Sequence, residues 1–273
     1  MAWRCCSAPS AGSADRDFGR KDRALGADLY GMARRSTALE TAGGRVRTAV
    51  WTLAHPEVGR TVTLVGTFHI GHTEYFDELS ALLARLAAGG AEIHVEGISR
   101  SDAEDLSDWE LERLAEAAAW PEPETAGAAV ALLHLDSQGA KLHLPAGARN
   151  VDLTEVDLLR RVGWKGYQRL FAPEAPPARA PALGPLARAF IRAQLRHSRS
   201  FDRLRSLRRS TRRRARVVLD ERNAVAFAAA AEALGRHDVA LVWGADHLPG
   251  LARLFRSSGY LVHREEWFEA CRL

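Results

Sequence analysis

Two histidines of the chain stand in the same short frame, each three residues after a glycine: Gly66 and His69 in GTFH, and Gly244 and His247 in GADH. A carboxylate, Glu96, closes the short apolar segment IHVE. Imidazole nitrogen and carboxylate oxygen suit a divalent ion such as Mn, Co, Zn or Fe, and two histidines with one carboxylate leave positions open for water and substrate. His69, Glu96 and His247 are therefore the candidate metal ligands, and an ion held there could activate water for hydrolysis.

The elements that must position these residues are strands. The pattern predicts strands at TVTLVG before His69, at IHVE up to Glu96, and at VALVWG before His247. In open α/β sheets, ligand crevices form at the carboxyl ends of the strands, so residues far apart in sequence can meet there. The segment ARNVD ends in Asp152 in the same way, which makes Asp152 a candidate further member of the cluster.

Strand and helix patterns alternate along the chain. RVRTAVWTL and TVTLVGTF, separated by AHPEVGR, predict a β-hairpin, and helix entries are expected at Thr73 and at Thr154. Further helices are expected over 101–119 and in the alanine-rich DERNAVAFAAAAEALGR, and a last strand near YLVHREEW. The expected fold class is α/β, with a central mixed, mostly parallel sheet flanked by helices.

The composition favours one globular domain. The 273 residues are 47% hydrophobic and 26% charged, which is typical of globular proteins. Residues 1–43 show no sustained period and predict a disordered extension, so the α/β domain is expected over 44–273. Residues 172–185 hold five of the eleven prolines and predict a loop or linker.

The compartment expected from the sequence is the cytoplasm. No stretch approaches the roughly 20 apolar residues of a membrane span, and MAWRCCSAPSAGSADRD lacks the apolar run of a signal peptide. The cysteines, Cys5, Cys6 and Cys271, form neither a Cys-x-x-Cys pair nor a framework of bridges.

One segment dominates the net charge of +4. Residues 196–216 hold ten arginines and one acid, Asp202, so this segment alone is +9 and the remainder about −5. An amphipathic helix of this charge could attach to phosphates or to an anionic membrane surface. Because Phe201 is the one aromatic residue among the arginines, base stacking is not expected, and neither is specific nucleic-acid binding. The alternative is a solvated helix face.

Several of these segments resemble those of a known family, the TraB/PrgY/GumN group, which is related in fold to the Tiki proteases and the erythromycin esterases. The matching segments are LVGTFHIG, IHVEG, DERNAVAFAAAAEAL and VWGADHLPGLARLFRSSGY. VDLTEVDLLRR resembles the central segment of the family, although Val156 and Asp157 interrupt its pattern. The resemblance covers about residues 45–265.

The resemblance implies a TraB/Tiki/erythromycin-esterase-like fold with a cluster of His69, Glu96 and His247. Glu221, Arg222 and Asn223 would support that cluster. Tiki relatives are metal-dependent peptidases, whereas the esterase relatives work without an agreed metal. The function expected from the resemblance is a TraB/Tiki-type hydrolase acting on a peptide or small molecule, with Arg222, Asn223 and Asp152 binding the substrate.

Other interpretations of the same residues remain open. The crevice could sequester a peptide or small ligand without turnover, and Glu96 could form an ion pair with Arg222. His72 and Asp246 could be supporting groups or extra ligands, or they could lie at solvated loop positions. His94 lies deeper in its strand than Glu96, where a hydrogen-bonded buried histidine is expected.

Overall fold

The computed structural model describes residues 37–99, 106–120, 133–171 and 216–272. Its strands are β1 (Leu39–Ala42), β2 (Arg45–Ala54), β3 (Thr61–Thr67), β4 (Ile70–Gly71), β5 (Glu92–Val95), β6 (Asp136–Ser137), β7 (Arg149–Asn150), β8 (Val239–Gly244) and β9 (Leu261–Arg272). Its helices are α1 (Thr73–Ala88), α2 (Asp108–Ala118), α3 (Gln138–Lys141), α4 (Glu155–Val162), α5 (Trp164–Phe171), α6 (Arg222–Ala233) and α7 (Leu248–Ser257). A π-helical segment, Arg216–Glu221, runs directly into α6.

Seven of these strands form one sheet in the order β1-β2-β3-β8-β5-β7, with β9 also paired to β2. One edge of β2 pairs with β9, and its other edge pairs with β1 and then with β3. These pairings of β2 are antiparallel, whereas β3, β8, β5 and β7 run parallel to one another. The expected α/β class, a mixed and mostly parallel sheet flanked by helices, is confirmed. β4 and β6 form a separate antiparallel pair.

The central strands β3 and β8 are almost entirely buried, as expected for parallel strands covered on both faces. Apolar residues of α1 that recur every three or four positions, including Phe76, Leu79 and Leu83, pack into the main core. A second, smaller cluster joins α4 and α5 through Leu158 and Tyr167.

The local signals for the hairpin and the helix entries are confirmed. β2 and β3 pair through a turn, and α1 begins at Thr73 as expected. At α4, Thr154 and Asp157 cap each other's backbone N–H in a capping box. α2 begins at Asp108, later than the expected start at 101, with Ser107 as its cap.

The folded part begins earlier than the boundary expected at residue 44, because β1 lies within the segment assigned to the extension. Leu39 is buried, and β1 pairs residue by residue with the start of β2. Residues 1–36, the proline-rich 172–185 and the arginine-rich segment up to 215 lie outside the described residues. Among the described helices, none is long and apolar enough to cross a membrane.

Candidate active site

The pairing of β5 with β8 brings Glu96 to the end of β8. Val95 and Val242 are partners in the parallel ladder, and the N–H of Glu96 donates to the carbonyl of Val242 at 3.0 Å. One residue past β5, the Glu96 carboxylate turns back, and its Oε2 accepts the N–H of Gly244 at 2.5 Å. A Cβ on Gly244 would stand 3.3 Å from that oxygen, so the absence of a side chain lets the carboxylate approach the backbone.

Arg222, the first residue of α6, lies between two carboxylates. Its Nη2 donates to Glu96 Oε1 at 2.7 Å, and its Nε donates to Asp152 Oδ1 at 2.9 Å. The Asp152 side chain is 0% exposed and also accepts the N–H groups of Gly97 and Leu153. Burial alone would lower the pKa of Arg222, but the two carboxylates outweigh it and raise that pKa above its usual value. Two carboxylates against one guanidinium leave the trio with a net charge of −1.

His247 is held by Asn223, the second residue of α6. The distance from His247 Nδ1 to Asn223 Oδ1 is 2.7 Å, and Asn223 Nδ2 donates to the His247 carbonyl at 3.4 Å. Because the amide oxygen faces Nδ1, the proton of a neutral imidazole belongs on Nδ1, and Nε2 keeps its lone pair. A Cβ on Gly250 would lie 2.2 Å from Asn223 Nδ2, so glycine at 250 is what leaves room for this amide.

The surroundings of His247 favour the neutral form of its imidazole. Its residue is 4% exposed, and burial lowers its pKa below the usual value although Glu96 acts in the opposite direction. Nε2 lies 3.6 Å from Glu96 Oε1, which is too long for a direct hydrogen bond. Two hydrogen-bond acceptors therefore face each other across a short gap.

His69 enters the site from β3 and lies on an adjoining open pocket of about 320 Å³. Its backbone is fixed, because its carbonyl accepts the N–H of Gln138 at 2.8 Å and the preceding N–H, that of Phe68, donates to the Tyr75 hydroxyl at 3.0 Å. Its imidazole is exposed and makes no hydrogen bond with any described residue. Glu96 lines the same pocket and so connects it to the buried cluster.

The strand ends thus bring Glu96, Asp152 and His247 together in one cluster. Arg222 bonds to Glu96 and Asp152, Asn223 bonds to His247, and the two groups meet across the 3.6 Å between His247 and Glu96. The Glu96–Arg222 ion pair, left open by the sequence, is present. Substrate binding by Arg222, Asn223 and Asp152 stays a prediction.

Four further residues singled out from the sequence have other surroundings. Glu221 pairs with Arg161 outside the cluster, at 2.6 Å. His72 Nε2 accepts the N–H of Arg272 in β9 at 3.4 Å, and Asp246 is exposed. His94 is buried and bonded to Glu92, as expected of a structural histidine.

The donor set at Glu96 does not fit a resident divalent ion in this arrangement. Each carboxylate oxygen already accepts one hydrogen bond, and the cationic Arg222 partly neutralises the charge that would attract a divalent ion. His247 does have the form of a ligand, since Asn223 holds Nδ1 and leaves Nε2 open. Across the described ranges, no three His, Cys, Asp or Glu side chains are grouped so as to hold an ion.

The sequence reasoning missed two residues of the site. The ring of Trp243 in β8 contacts His247, with centroids 5.1 Å apart, and lies 5.4 Å from the Arg222 guanidinium carbon. The sequence did offer a signal for Trp243, because it comes one residue before Gly244, where β8 ends. Gln138 lines the pocket beside His69 and Glu96, but it lies in a segment whose sequence has no clear period.

No family model matches the chain, and no curated protein gives a significant match. What the cluster does must therefore be inferred from its own geometry.

Proposed function

We propose that this protein is a hydrolase of the TraB/Tiki type, in which a water molecule between His247 and Glu96 attacks an acyl substrate in the adjoining pocket. The observation that carries the proposal is the 3.6 Å gap between His247 Nε2 and Glu96 Oε1. Neither atom has a proton to give the other, because the imidazole is neutral with its proton on Nδ1. A water molecule that lies to one side of the two atoms can donate to both and so bridge them.

The chemistry that follows from this arrangement is general base catalysis. The water oxygen forms a bond to the acyl carbon, the carbonyl electron pair moves to its oxygen, and Nε2 of His247 takes the proton. When the tetrahedral intermediate collapses, the bond to the leaving nitrogen or oxygen breaks, and His247 returns the proton to that atom. Burial and the Asn223 contact favour the neutral imidazole that this role requires.

The other members of the cluster hold the reacting groups in place or contact the substrate. Arg222 and the Gly244 N–H fix the Glu96 carboxylate, and Asp152 in turn fixes Arg222. His69 lies on the pocket wall, where its free imidazole can contact a substrate. Binding of a peptide or small molecule in this pocket is part of the proposal.

Two alternatives each have a supporting observation. Because Arg222 pairs both carboxylates, the network could be structural and the pocket could bind a ligand without turnover. The open Nε2 of His247 also suits the ion predicted from the sequence, Mn, Co, Zn or Fe, if Glu96 were released from Arg222. Turnover and metal content separate these alternatives from the proposal.

The test uses the full-length protein with p-nitrophenyl acyl esters and aminoacyl p-nitroanilides. His247→Ala and Glu96→Gln should each lower kcat/KM by about 10²–10⁴, the usual contribution of general base catalysis. His237→Ala, an exposed histidine just before β8, is the matched control and should leave the rate unchanged. Turnover that survives loss of His247 would overturn the mechanism, and saturable binding without turnover would favour the binding protein.

A further inference from the structure

The pocket beside the cluster has a specific electrostatic character. Among the described residues that line it, the ones that can carry charge are His69 and Glu96, and neither Lys nor Arg is present. The rest of its wall is small, apolar or amide: Val95, Gln138, Gly139, Leu142, Leu144 and Val242. The pocket therefore presents a carboxylate against an apolar wall.

The nearest positive charge does not compensate this carboxylate fully. The side chain of Arg222 is 8% exposed, and its guanidinium is shared between Glu96 and the buried Asp152, which leaves a net charge of −1. Glu96 is 17% exposed and can still accept a bond, because two carboxylate oxygens offer about four acceptor positions. One position on each oxygen is used, by Arg222 and by Gly244.

Gln138 contributes an amide to the same wall, but its Oε1 is buried and has no hydrogen-bond partner among the described residues. Because that oxygen is closed to solvent, the carboxylate of Glu96 is the acceptor that the pocket offers to a ligand. Glu96 therefore calls for a donor from the ligand, and an anionic group beside it would meet repulsion.

We propose that the pocket binds a cationic amine attached to an apolar group, such as the amino-terminal residue of a peptide with an aliphatic side chain. The ammonium bonds to Glu96, and the apolar side chain of the ligand packs on Leu142 and Leu144. A volume of about 320 Å³ lies at the small end of ligand pockets and suits one or two residues. This inference rests on the proposed function for its site but makes a separate claim about charge.

The test measures binding without turnover, by calorimetry on full-length His247→Ala. The probes are leucinamide, N-acetyl-leucinamide and N-succinyl-leucinamide, which carry the same side chain with a positive, neutral and negative head. Leucinamide should bind roughly tenfold to a hundredfold more tightly than the acetylated probe, the usual contribution of a hydrogen bond to a charged group. The succinylated probe should bind most weakly, and leucyl-glycine should bind at least as well as leucinamide if a peptide is the natural ligand. Thermal shifts of the wild-type protein provide the same ranking should His247→Ala fail to fold.

Adding a positive charge at the rim of the pocket sharpens the test. Leu144 is 45% exposed, so Leu144→Lys should fold normally and place a positive charge at the pocket. It should weaken the binding of leucinamide and strengthen that of N-succinyl-leucinamide, each by about tenfold. Equal or tighter binding of the anionic probe, no binding of leucinamide, or no response to Leu144→Lys would overturn the inference. If the ranking holds but wild-type protein hydrolyses none of the substrates, the hydrolase proposal fails and this inference stands.

Discussion

Replacing Arg222 by methionine tests the buried charge network directly. The substitution keeps an unbranched apolar stem but removes the donors that hold Asp152 and Glu96, whose side chains are 0% and 17% exposed. The local charge changes from −1 to −2 in a region largely closed to water. Losing one partner of a buried ion pair costs about 3–5 kcal/mol because a buried charge is left uncompensated. The two backbone N–H groups that still bond Asp152 place the expected loss near the lower value, about 3 kcal/mol.

Urea denaturation of the two proteins gives this loss directly, provided the m-value is unchanged. Arg161→Met is the matched control, since Arg161 and Glu221 form a pair that is 40% and 26% exposed and should contribute at most about 1 kcal/mol. Adding Asp152→Asn to Arg222→Met should restore part of the loss, because the uncompensated charge is then absent. A loss for Arg222→Met no larger than that of the control would refute the reasoning.

Three further predictions concern the surroundings of His247. Gly250→Ala places a Cβ 2.2 Å from Asn223 Nδ2 and should displace that amide. ¹⁵N NMR of His247 would then record a change of imidazole tautomer. The control is Gly139→Ala, whose Cβ meets nothing within 4 Å and which should leave the tautomer unchanged. Burial lowers the pKa of His247 in the folded protein, so the unfolded chain takes up the proton first as the pH falls below about 6.5. The free energy of unfolding of the wild-type protein should therefore decrease in this pH range, by about 1.4 kcal/mol for each unit by which folding lowers the pKa. The decrease should be smaller for His247→Gln. Elemental analysis after incubation with Mn, Co, Zn or Fe and desalting should show no stoichiometric metal; an ion that is bound by wild type and lost in both His69→Ala and His247→Ala would support the metal site instead.

The sequence predicted those parts of the fold that depend on local signals. The alternation around Val62 and Val65, the capping box at Thr154 and the apolar spacing of α1 each indicated the element that forms there. β1 was missed because a four-residue strand has too few positions for a period to be recognised. Its existence depends on pairing with β2, which is a tertiary effect.

For the site, sheet topology explains which residues could be predicted to meet and which contacts could not be predicted. Glu96 and His247 could be expected near each other because parallel strands present their carboxyl ends at one edge of the sheet. The Asn223 contact with His247 could not be inferred, since it depends on where α6 crosses the turn after β8 and on the missing side chain of Gly250. The depth of Asp152 likewise follows from packing under Arg222, which no periodicity records.

The pairing of β2 has a consequence for how the chain folds during synthesis. The hairpin of β2 and β3 is made early, but the strands that complete it come much later: Trp51 in β2 contacts Glu265 in β9, 214 positions on, and Thr61 in β3 contacts Asp238 beside β8, 177 positions on. Until those residues leave the ribosome, both outer edges of an apolar hairpin lack their neighbours. Pairings of such long range form slowly and leave strand edges open to other chains. A nascent chain stalled before β8 should therefore bind chaperones or aggregate. The chaperones should leave the chain only once β8 and β9 have been added to the sheet.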